Sequence, residues 1–341
     1  MDGSTLPLPA FADVLAAAAR IAPHAHVTPV LRSRSIDALV GAELHFKAEH
    51  LQRIGAFKVR GACNAVWALT DAEAARGVVT HSSGNHGAAL ALAARDRGIP
   101  CHVIVPEGAV RSKLVAIEAY GATLHHCAAT IAAREAMCAD VQRATGAVLV
   151  HPYADGNVIA GQGTATLELF NACRMSGDHT SSDGMSGDGM LDALIVPVGG
   201  GGLASGSAIA AAALAPNCKV YAAEPAGAAD AYASLQQGTR VTDLVPDTIC
   251  DGLRGTLGAP NFELLRAHAV EVLTVDDTET VAAMRLLWTR MKQLVEPSSA
   301  TVLAALLRHR ERFAGQRVGV ILSGGNVDPD ALPALFAGKA S

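Results

Sequence analysis

One lysine of this chain stands where it could act as a nucleophile. Lys58 follows a glycine turn at Gly55 and lies between Phe57 and Val59. An apolar pocket would disfavour the ammonium form, lower the pKa of the amine and leave it neutral and reactive. A lysine in such a segment can also bury its methylene stem and keep its charge in solvent. Taken alone, the segment leaves both interpretations open.

A dense polar run follows the apolar pair Val78 and Val79, just before an alanine-rich stretch that predicts a helix. The run consists of Ser82, Ser83, Gly84, Asn85 and His86. Hydroxyls and free backbone N–H groups at the start of a helix form an anion site. Ordinary capping of the helix would explain one serine but not the whole run, which favours an anion site.

A glycine loop predicts a second anion site. Gly199, Gly200, Gly201 and Gly202 follow an apolar stretch and precede Leu203. Their backbone N–H groups can close around a phosphate where a helix begins. The loop is not a Walker motif, because no Gly-Lys-Ser/Thr follows, and it matches the dinucleotide pattern G-x-G-x-x-G only weakly. A turn that binds no ligand is the alternative.

Ser323 ends another apolar run, Val318–Leu322. A side chain at the carboxyl end of a strand in an open α/β sheet faces a cleft rather than the core. By itself, this segment is only a turn.

The elements that must position these residues alternate along the chain. Short β-branched or apolar runs such as Cys101–Val105 and Lys219–Glu224 are separated by stretches such as Gly87–Gly98 and Asp277–Glu296, which predict helices. Strands that alternate with helices indicate a mostly parallel α/β sheet with helices on both faces.

Two segments need separate interpretation. The stretch Ala193–Cys218 has no charged residue and is long enough to span a membrane, but Pro197 and the glycine loop interrupt it. It therefore predicts a buried strand, a loop and a helix over Ala204–Leu214. The stretch Met175–Met190 consists largely of Gly, Ser and Asp, which cannot bury a core, and predicts a mobile surface loop.

The composition excludes several classes of protein. The chain has 341 residues, is 50% hydrophobic and carries a formal net charge of −5. This length suggests about two domains. No basic segment favours a nucleic-acid or membrane partner. Seven irregularly spaced cysteines predict buried reduced thiols. The first residues do not read as a signal peptide, so we expect a soluble, cytoplasmic protein.

Together and in this order, these segments resemble the fold-type II pyridoxal-phosphate (PLP) enzymes. They are most similar to the serine/threonine dehydratase and serine racemase family. The resemblance extends from Thr28 to Asn326 and includes Ala160–Thr164 and Asp251–Arg254. It implies a tryptophan synthase β-like α/β fold of two open parallel-sheet domains. Residues 1–65 and 155–341 would form a large cofactor-binding domain, 66–154 a small mobile domain, and the protein a homodimer.

The resemblance also implies roles for the residues named above. Lys58 matches the lysine that bonds covalently to the cofactor, and Ser323 matches the residue that faces its pyridine nitrogen. Phe57 and Asn85 match residues that flank the ring and bond its 3-hydroxyl. The phosphate cradle corresponds to Gly199, Gly200, Gly201, Gly202 and Leu203. The substrate carboxylate would bind to the loop of Ser82, Ser83, Gly84, Asn85 and His86.

The implied reaction is that of an ammonia-lyase. Lys58 would remove the α-proton of a 3-hydroxy amino acid such as serine, threonine or 3-hydroxyaspartate, and β-elimination would yield a 2-oxo acid and ammonia. A racemase is the alternative, with Lys58 and Ser83 on opposite faces of the substrate. A β-replacement synthase is disfavoured because its carboxylate loop reads Thr-Ser-Gly-Asn-Thr. A non-catalytic amino-acid-binding regulator is disfavoured by the intact Lys58 and glycine loop.

Several positions bear on the substrate. Arg134 falls where the racemase branch has an arginine near the substrate, which would suit acidic substrates, although a solvent-facing helix charge is the alternative. Gly255 and Thr256 stand where that branch has a pair of serines, and Tyr153 replaces an asparagine of the animal racemases. These departures put serine in doubt as the preferred substrate.

A divalent cation is also implied by the resemblance. Glu224 follows the predicted strand, and Ala228 and Asp230 come four and six residues later. Two carboxylates, a backbone carbonyl and water molecules suit Mg²⁺ or Ca²⁺. The alternative is that Asp230 only caps a helix.

Overall fold

The computed structural model describes residues 8–109, 111–175 and 190–337. Most of the predicted loop at Met175–Met190 therefore lies outside the described residues. Over the described part, the chain forms ten strands, which are Val30–Leu31 (β1), Glu43–Ala48 (β2), Val78–His81 (β3), Cys101–Pro106 (β4), Thr123–Cys127 (β5), Val148–Leu149 (β6), Ala193–Pro197 (β7), Lys219–Pro225 (β8), Glu271–Val275 (β9) and Arg317–Leu322 (β10).

Helices separate most of these strands. The α-helices of the described residues are Phe11–Ile21 (α1), Arg34–Val40 (α2), Lys58–Ala68 (α3), Asp71–Arg76 (α4), Asn85–Arg97 (α5), Arg111–Ala119 (α6), Ile131–Thr145 (α7), Gly156–Met175 (α8), Gly202–Leu214 (α9), Asp230–Gln237 (α10), Ala259–Ala267 (α11), Asp277–Leu286 (α12), Pro297–Arg308 (α13) and Leu332–Phe336 (α14).

The strands form two sheets, as the alternation predicts. The larger sheet has the order β1-β2-β10-β7-β8-β9, and all its pairs are parallel except β1 with β2. The smaller sheet has the order β5-β4-β3-β6 and is wholly parallel. It is drawn entirely from residues 78–149, whereas the larger sheet uses segments from before and after it in the chain. The chain therefore has the two open parallel sheets that the resemblance implies.

The core explains the low charge of the chain. Every residue of β7 is buried, and so are most residues of β10 and β2, because helices cover both faces of the larger sheet. Helices α12 and α13 pack on one face, and α8, α9 and α11 contribute to the core on the other. All seven cysteines are buried, as predicted. Among the described helices, none is both long and apolar enough to cross a membrane.

The helix predicted over Asp277–Glu296 is wrong at its end, since helical structure stops at Met291. A capping box at Asp276 starts α12, a π-helical turn follows at Leu287–Met291, and Lys292 ends it with a φ of 60°. Glu296 is extended, with φ −69° and ψ 156°, and caps α13. The left-handed Lys292 ends the helical segment, and Pro297 accounts for the extended Glu296, since a residue that precedes proline is sterically disfavoured in the helical region.

A buried ionic network anchors the start of α3. The guanidinium of Arg60 is fully buried and donates to both carboxylate oxygens of Glu49, at 2.7 and 2.8 Å, and to both of Glu168, at 2.7 Å each. Lys47 adds a 2.6 Å bond to Glu168. Burial opposes the charge on Glu49, yet Arg60 holds the pKa of that carboxyl below its ordinary value. The network joins α3 to β2 and α8, and thereby fixes Lys58.

We expect Arg60→Ala to lower the free energy of unfolding by about 3–5 kcal/mol, because it leaves two carboxylates of the network without their shared partner. Urea denaturation followed by circular dichroism measures this change. The matched control is Arg143→Ala, which removes an exposed arginine paired with Asp140 and should cost less than about 1 kcal/mol. Equal losses in the two variants would contradict the anchoring role of Arg60.

Candidate active site

The residues singled out by their chemistry meet at the carboxyl ends of strands from both sheets. Strand β3 leads into the Ser82–Gly84 loop and α5, and β7 leads into the glycine loop and α9. At the end of β10, Ser323 accepts a 2.9 Å hydrogen bond from the backbone N–H of Phe57, and Ala56 pairs with Gly324 in an isolated bridge. Lys58 and Ser323, separated by most of the chain, are thereby held side by side.

A tight turn places Lys58. Ile54 and Gly55 have φ values of 58° and 74°, which reverse the chain between β2 and α3. Left-handed backbone is unfavourable for isoleucine, and two contacts hold it. The Nδ2 of Asn326 donates to the carbonyl of Ile54 at 2.7 Å, and Gly325 N–H donates to the carbonyl of Gly55 at 2.9 Å. The segment after β10 therefore stabilises the turn before Lys58.

The amine of Lys58 is buried, and its pKa is lowered. Its Nζ donates to the carbonyl of Pro152 at 2.9 Å and lies 5.1 Å from the centre of the Phe57 ring. Desolvation lowers the pKa of Lys58 to about 8, and the negative charge of Glu296 partly opposes that shift. A lysine with this pKa is partly neutral near physiological pH and can accept a proton or attack a carbonyl group.

The glycine loop has no room for side chains. A Cβ at position 200 would lie 2.3 Å from Cγ of Tyr153, whose ring covers the loop. Gly201 caps α9 with a φ of 93°, which strongly favours glycine. The side-chain amide of Asn261 donates to the carbonyls of Gly200 and Tyr153, at 2.5 and 2.9 Å, and so holds the covering residue to the loop.

This arrangement fits a phosphate group of a pyridoxal cofactor. The loop precedes the first turn of α9, where N–H groups have no partner within the helix, and it is followed by the buried Leu203. Ser323, at the end of β10, is 3% exposed. The lysine with a lowered pKa, the glycine loop and the hydroxyl at a neighbouring strand end fit the aldehyde, the phosphate and the ring of such a cofactor, respectively.

The polar loop after β3 lies beside this arrangement. Ser82, Ser83, Gly84 and Asn85 are partly exposed, and Gly84 N–H donates to Oγ of Ser82 at 3.4 Å. His86 differs from them, because its ring is buried and its Nε2 lies 3.3 Å from the carbonyl of Val150. Burial, together with the charge of Lys58, lowers the pKa of His86 well below its ordinary value, so the ring is neutral.

Sequence reasoning named Tyr153 but did not find the row of aromatic side chains to which it belongs. The rings of His81 and His151 meet edge to face at 5.1 Å, and those of His151 and Tyr153 at 4.6 Å. Burial first, and then His81 and Lys58, lower the pKa of His151 to about 4. The signal that could have found these residues is their position just after β3 and β6, because strand ends share one edge of a parallel sheet.

Arg134 lies at the same end of the site. After burial itself, the charge of Arg134 is the largest cause that lowers the pKa of His81, so the two side chains are near each other. The Nε of Arg134 is buried without a hydrogen-bond partner among the described residues. This placement differs from that of a fully solvated helix charge.

Glu296 was also missed by sequence reasoning. It is 5% exposed, and its two carboxylate oxygens lie 3.1 and 3.2 Å from Nδ2 of Asn85. The predicted helix over Asp277–Glu296 concealed it. The following Pro297 was the available signal that Glu296 stands outside a helix.

The residues considered for a cation lie apart from Lys58. Glu224, near the end of β8, and Asp230, at the start of α10, are both buried, and neither forms an ion pair with any described residue. The carboxylate of Glu224 accepts from the N–H groups of Ala231 and Tyr232 at 2.9 and 2.8 Å, and Asp230 accepts from Leu257 N–H at 2.7 Å. No cluster of three or more His, Cys, Asp or Glu able to hold a metal occurs among the described residues.

Comparisons with known proteins agree with this geometry. A family model described as "Pyridoxal-phosphate dependent enzyme" matches residues 21–324. The chain is 46% identical to beta-hydroxyaspartate dehydratase of Paracoccus denitrificans, over 96% of this chain and 99% of that protein. It is 40% identical to L-threo-3-hydroxyaspartate ammonia-lyase of Saccharomyces cerevisiae, over 97% and 98%. The crystal structure of serine racemase from Dictyostelium discoideum matches with a TM-score of 0.86 and 46% identity, over 94% and 99%.

We expect Gly200→Ala to weaken the binding of pyridoxal phosphate by at least about tenfold, or about 1.4 kcal/mol, because the new methyl group must displace the Tyr153 ring. Titration followed by visible absorbance measures the affinity. Gly156→Ala is the matched control, since a Cβ there meets no atom within 4 Å and should change the affinity less than about twofold. Unchanged affinity in Gly200→Ala would show that the loop does not receive the phosphate.

Proposed function

We propose that this chain, which belongs to the pyridoxal-phosphate dependent enzyme family, converts a 3-hydroxy amino acid to a 2-oxo acid and ammonia by β-elimination of the hydroxyl group. The family and the fold are those of the solved relatives. The observation that carries the choice of substrate is the nearness of Arg134 to His81, at the strand end that opens into the Ser82–Gly84 loop.

The residues that would hold the cofactor are those of the strand ends. Gly199, Gly200, Gly201, Gly202 and Leu203 would bind the phosphate through backbone N–H groups, and Lys58 would supply the covalent attachment. Phe57 and Asn85 would flank the ring, and Ser323 would face its nitrogen. When bound, pyridoxal phosphate supplies a conjugated system that accepts electron density from the substrate α-carbon.

Lys58 is the proposed general base. Its pKa of about 8 allows the amine to take a proton from the substrate α-carbon and to return one to the departing hydroxyl group. The neutral hydroxyl of Ser323 cannot hold a proton on the ring as a carboxylate would. This favours rapid loss of a β-substituent over a long-lived carbanion. The enamine product then tautomerises and is hydrolysed to the 2-oxo acid and ammonia.

The proposed substrate carries a second carboxylate. The backbone N–H groups of the Ser82–His86 loop would bind its α-carboxylate, and Arg134 would bind the distal one. The row of His81 and His151 is neutral at physiological pH, because burial lowers the pKa of both imidazoles, so Arg134 supplies the positive charge there. Two similar proteins are named for hydroxyaspartate, which supports 3-hydroxyaspartate over serine or threonine.

Amino-acid racemisation is a second candidate function. It is supported by Ser83, whose hydroxyl lies in the loop beside Asn85, and by the similarity to serine racemase. A base on one face, Lys58, and an acid on the other, Ser83, would exchange the α-proton without loss of the hydroxyl group.

We further propose how the chain is organised around this site. Residues 66–154, which include the whole smaller sheet, would form a small domain that closes on the substrate, with 1–65 and 155–341 as the large domain. Val27 and Leu51 are 81% and 48% exposed. They lie near each other, because their chain neighbours His26 and Gln52 are joined by hydrogen bonds. We propose that these two apolar side chains lie in the interface of a homodimer. Buried thiols support a reducing, cytoplasmic location.

A divalent cation at Glu224, Asp230 and the carbonyl of Ala228 is also proposed. Desolvation, with a smaller contribution from the charge of Asp230, raises the pKa of Glu224 to about 8. Two buried carboxylates without a basic partner among the described residues fit a hard cation that takes oxygen ligands. The role of the cation would be structural. It would hold Asp230 in place, and Asp230 accepts a hydrogen bond from Leu257 N–H beside the glycine loop.

A substrate panel tests the proposed reaction. L- and D-serine, threonine, the 3-hydroxyaspartate diastereomers and phenylserine are assayed for 2-oxo acid and for racemisation. We expect 2-oxo acid from a 3-hydroxyaspartate isomer and none with Lys58→Ala. In Arg134→Gln, KM for that substrate should rise at least about tenfold, because a charged hydrogen bond is lost, while any turnover of serine stays within about threefold. Arg143→Gln, on the same helix, is the matched control.

Other outcomes of the panel separate the alternatives. Racemisation that disappears in Ser83→Ala, without 2-oxo acid, would establish the second candidate function in place of the first. Turnover that requires an added thiol would indicate β-replacement. No turnover of any member, with pyridoxal phosphate bound, would overturn the proposed reaction and favour a non-catalytic role.

Magnesium should stabilise the protein more at high pH. Because the pKa of Glu224 in the fold lies above the ordinary value of 4.5, the cation-free protein loses stability as pH rises towards about 8. A bound cation favours the ionised form and reverses this loss. At about 100 times Kd, Mg²⁺ should contribute about 2.7 kcal/mol, or a rise in Tm on the order of 5 °C, at pH 8.5 and less at pH 6.5.

Differential scanning fluorimetry measures this effect. It should disappear in Glu224→Gln and persist in Glu263→Gln, which alters an exposed carboxylate. A Tm that does not respond to Mg²⁺ or Ca²⁺ at either pH would contradict the cation site.

A further inference from the structure

The carboxylate of Glu296 lies inside the active site, although the residue belongs to none of the motifs. Its backbone N–H donates to the carbonyl of Gly324 at 3.1 Å, next to Ser323. A Cβ at Gly324 would lie 2.6 Å from Oε1 of Glu296, so the carboxylate lies directly against the end of β10. On its other side, both oxygens reach the amide of Asn85 at the start of α5. Glu296 thus links the two sheets where the cofactor residues meet.

This contact determines which way the amide of Asn85 faces. An ionised carboxylate only accepts hydrogen bonds, so Nδ2 of Asn85 must point towards Glu296. The Oδ1 of Asn85 in turn accepts from Nδ2 of Asn326 at 2.9 Å, and that same group donates to the carbonyl of Ile54. Donor and acceptor therefore alternate without conflict from Ile54 to Glu296. A reversed amide would place an oxygen against the carboxylate and a nitrogen against the Asn326 donor.

The orientation matters for a ligand in the cleft. The two oxygens of Glu296 lie almost equally far from Nδ2, as expected when one N–H is shared between them. The second N–H of Asn85 is then available for another acceptor. A donor at this position suits the 3-oxygen of a pyridoxal ring, whereas a reversed amide would present a carbonyl that repels it.

Glu296 also acts on Lys58 through its charge. Desolvation lowers the pKa of Lys58, and the negative charge of Glu296 opposes that change. The imidazoles of His86 and His151 face Lys58 too, but burial keeps both neutral at physiological pH. The carboxylate is therefore the charged protein group that offsets the loss of solvation at the amine.

We propose that Glu296 is a positioning residue of this active site, whose carboxylate fixes the amide of Asn85 with an N–H group towards the cofactor and holds a negative charge beside Lys58. The proposal concerns the cofactor and not the substrate, so it stands whichever amino acid the enzyme acts on. Glu296→Gln keeps the shape of the side chain, removes the charge and leaves Asn326 to orient the amide of Asn85 without the carboxylate.

Two measurements on the cofactor-loaded protein test this proposal without an activity assay. The first is the pH midpoint at which the visible band of the bound cofactor changes. It should fall by at least about half a pH unit in Glu296→Gln, because a negative charge no longer favours protonation nearby. The second is the dissociation constant of pyridoxal phosphate, which should rise about three- to tenfold. Glu263→Gln, which also removes one carboxylate charge, should change neither.

A double-mutant cycle separates the two roles. If Glu296 acts on cofactor affinity through Asn85, then Glu296→Gln should weaken affinity less than about twofold in a protein that already carries Asn85→Ala. The shift of the spectroscopic midpoint should remain in that background, since the charge acts directly. Glu296→Asp, which retains the charge, should shift the midpoint less than half as far as Glu296→Gln, and it supplies the comparison if the glutamine variant does not fold.

The proposal would be overturned by a folded Glu296→Gln protein with unchanged midpoint and unchanged affinity. Fully additive effects of the two substitutions on affinity would also overturn the link through Asn85. Because neither readout requires turnover, a failure here is distinguishable from failure of the proposed ammonia-lyase reaction.

Discussion

A short stretch of backbone pairing near the end of the chain holds the active site together. The Phe57–Ser323 hydrogen bond and the antiparallel Ala56–Gly324 bridge join the segment before α3 to the residues that follow β10, whereas β2 and β10 themselves pair in parallel. Lys58 begins its helix immediately after this contact. The ionic network around Arg60 fixes the same helix through the carboxylates of Glu49 and Glu168. The residues that follow, Gly325 and Asn326, bond to the carbonyls of Gly55 and Ile54, so the same segment also holds the turn before Lys58.

The electrostatics of the site follow from desolvation. Burial keeps the histidines around Lys58 neutral and lowers the pKa of the amine to about 8, so few full charges remain near it. Among the charged groups that remain, Glu296 lies beside Asn85 and acts on Lys58, whereas Arg134 and Glu135 act on His81 with opposite signs. A neutral surrounding increases the effect of each charge, because the low polarity around it screens little. Discrimination between ligands of different charge can therefore depend on a few charged side chains.

The sequence alone predicted the architecture and the motifs well, for identifiable reasons. Buried parallel strands are short apolar runs, which a few consecutive residues are enough to indicate. Ser82, the glycine loop and Ser323 come directly after such runs, so the position of each motif could be predicted from its neighbours in the sequence. The resemblance then joined motifs that are far apart in the chain. The fold and family are confirmed, whereas the individual roles of the site residues stay predictions.

What the sequence did not reveal depends on contacts between distant segments. Nothing local distinguishes His151 from an ordinary loop residue until β6 is placed beside β3. Glu296 was hidden because Asp277–Glu296 has helical composition, and only steric exclusion by Pro297 and the turn at Lys292 remove it from the helix. The contacts of Glu224 with Ala231 and Tyr232 likewise depend on where α10 begins.

The order of strands in the larger sheet has a consequence for how the chain folds. Strand β10 lies between β2 and β7, so the centre of that sheet stays open until the last strand has been synthesised. The smaller sheet, made of contiguous residues, can form much earlier on the ribosome. Pairing of β10 with β2 closes a loop of most of the chain, which is slow on entropic grounds. Lys58 and Ser323 therefore cannot come together before β10 has been synthesised, and the cofactor site is incomplete in any shorter nascent chain.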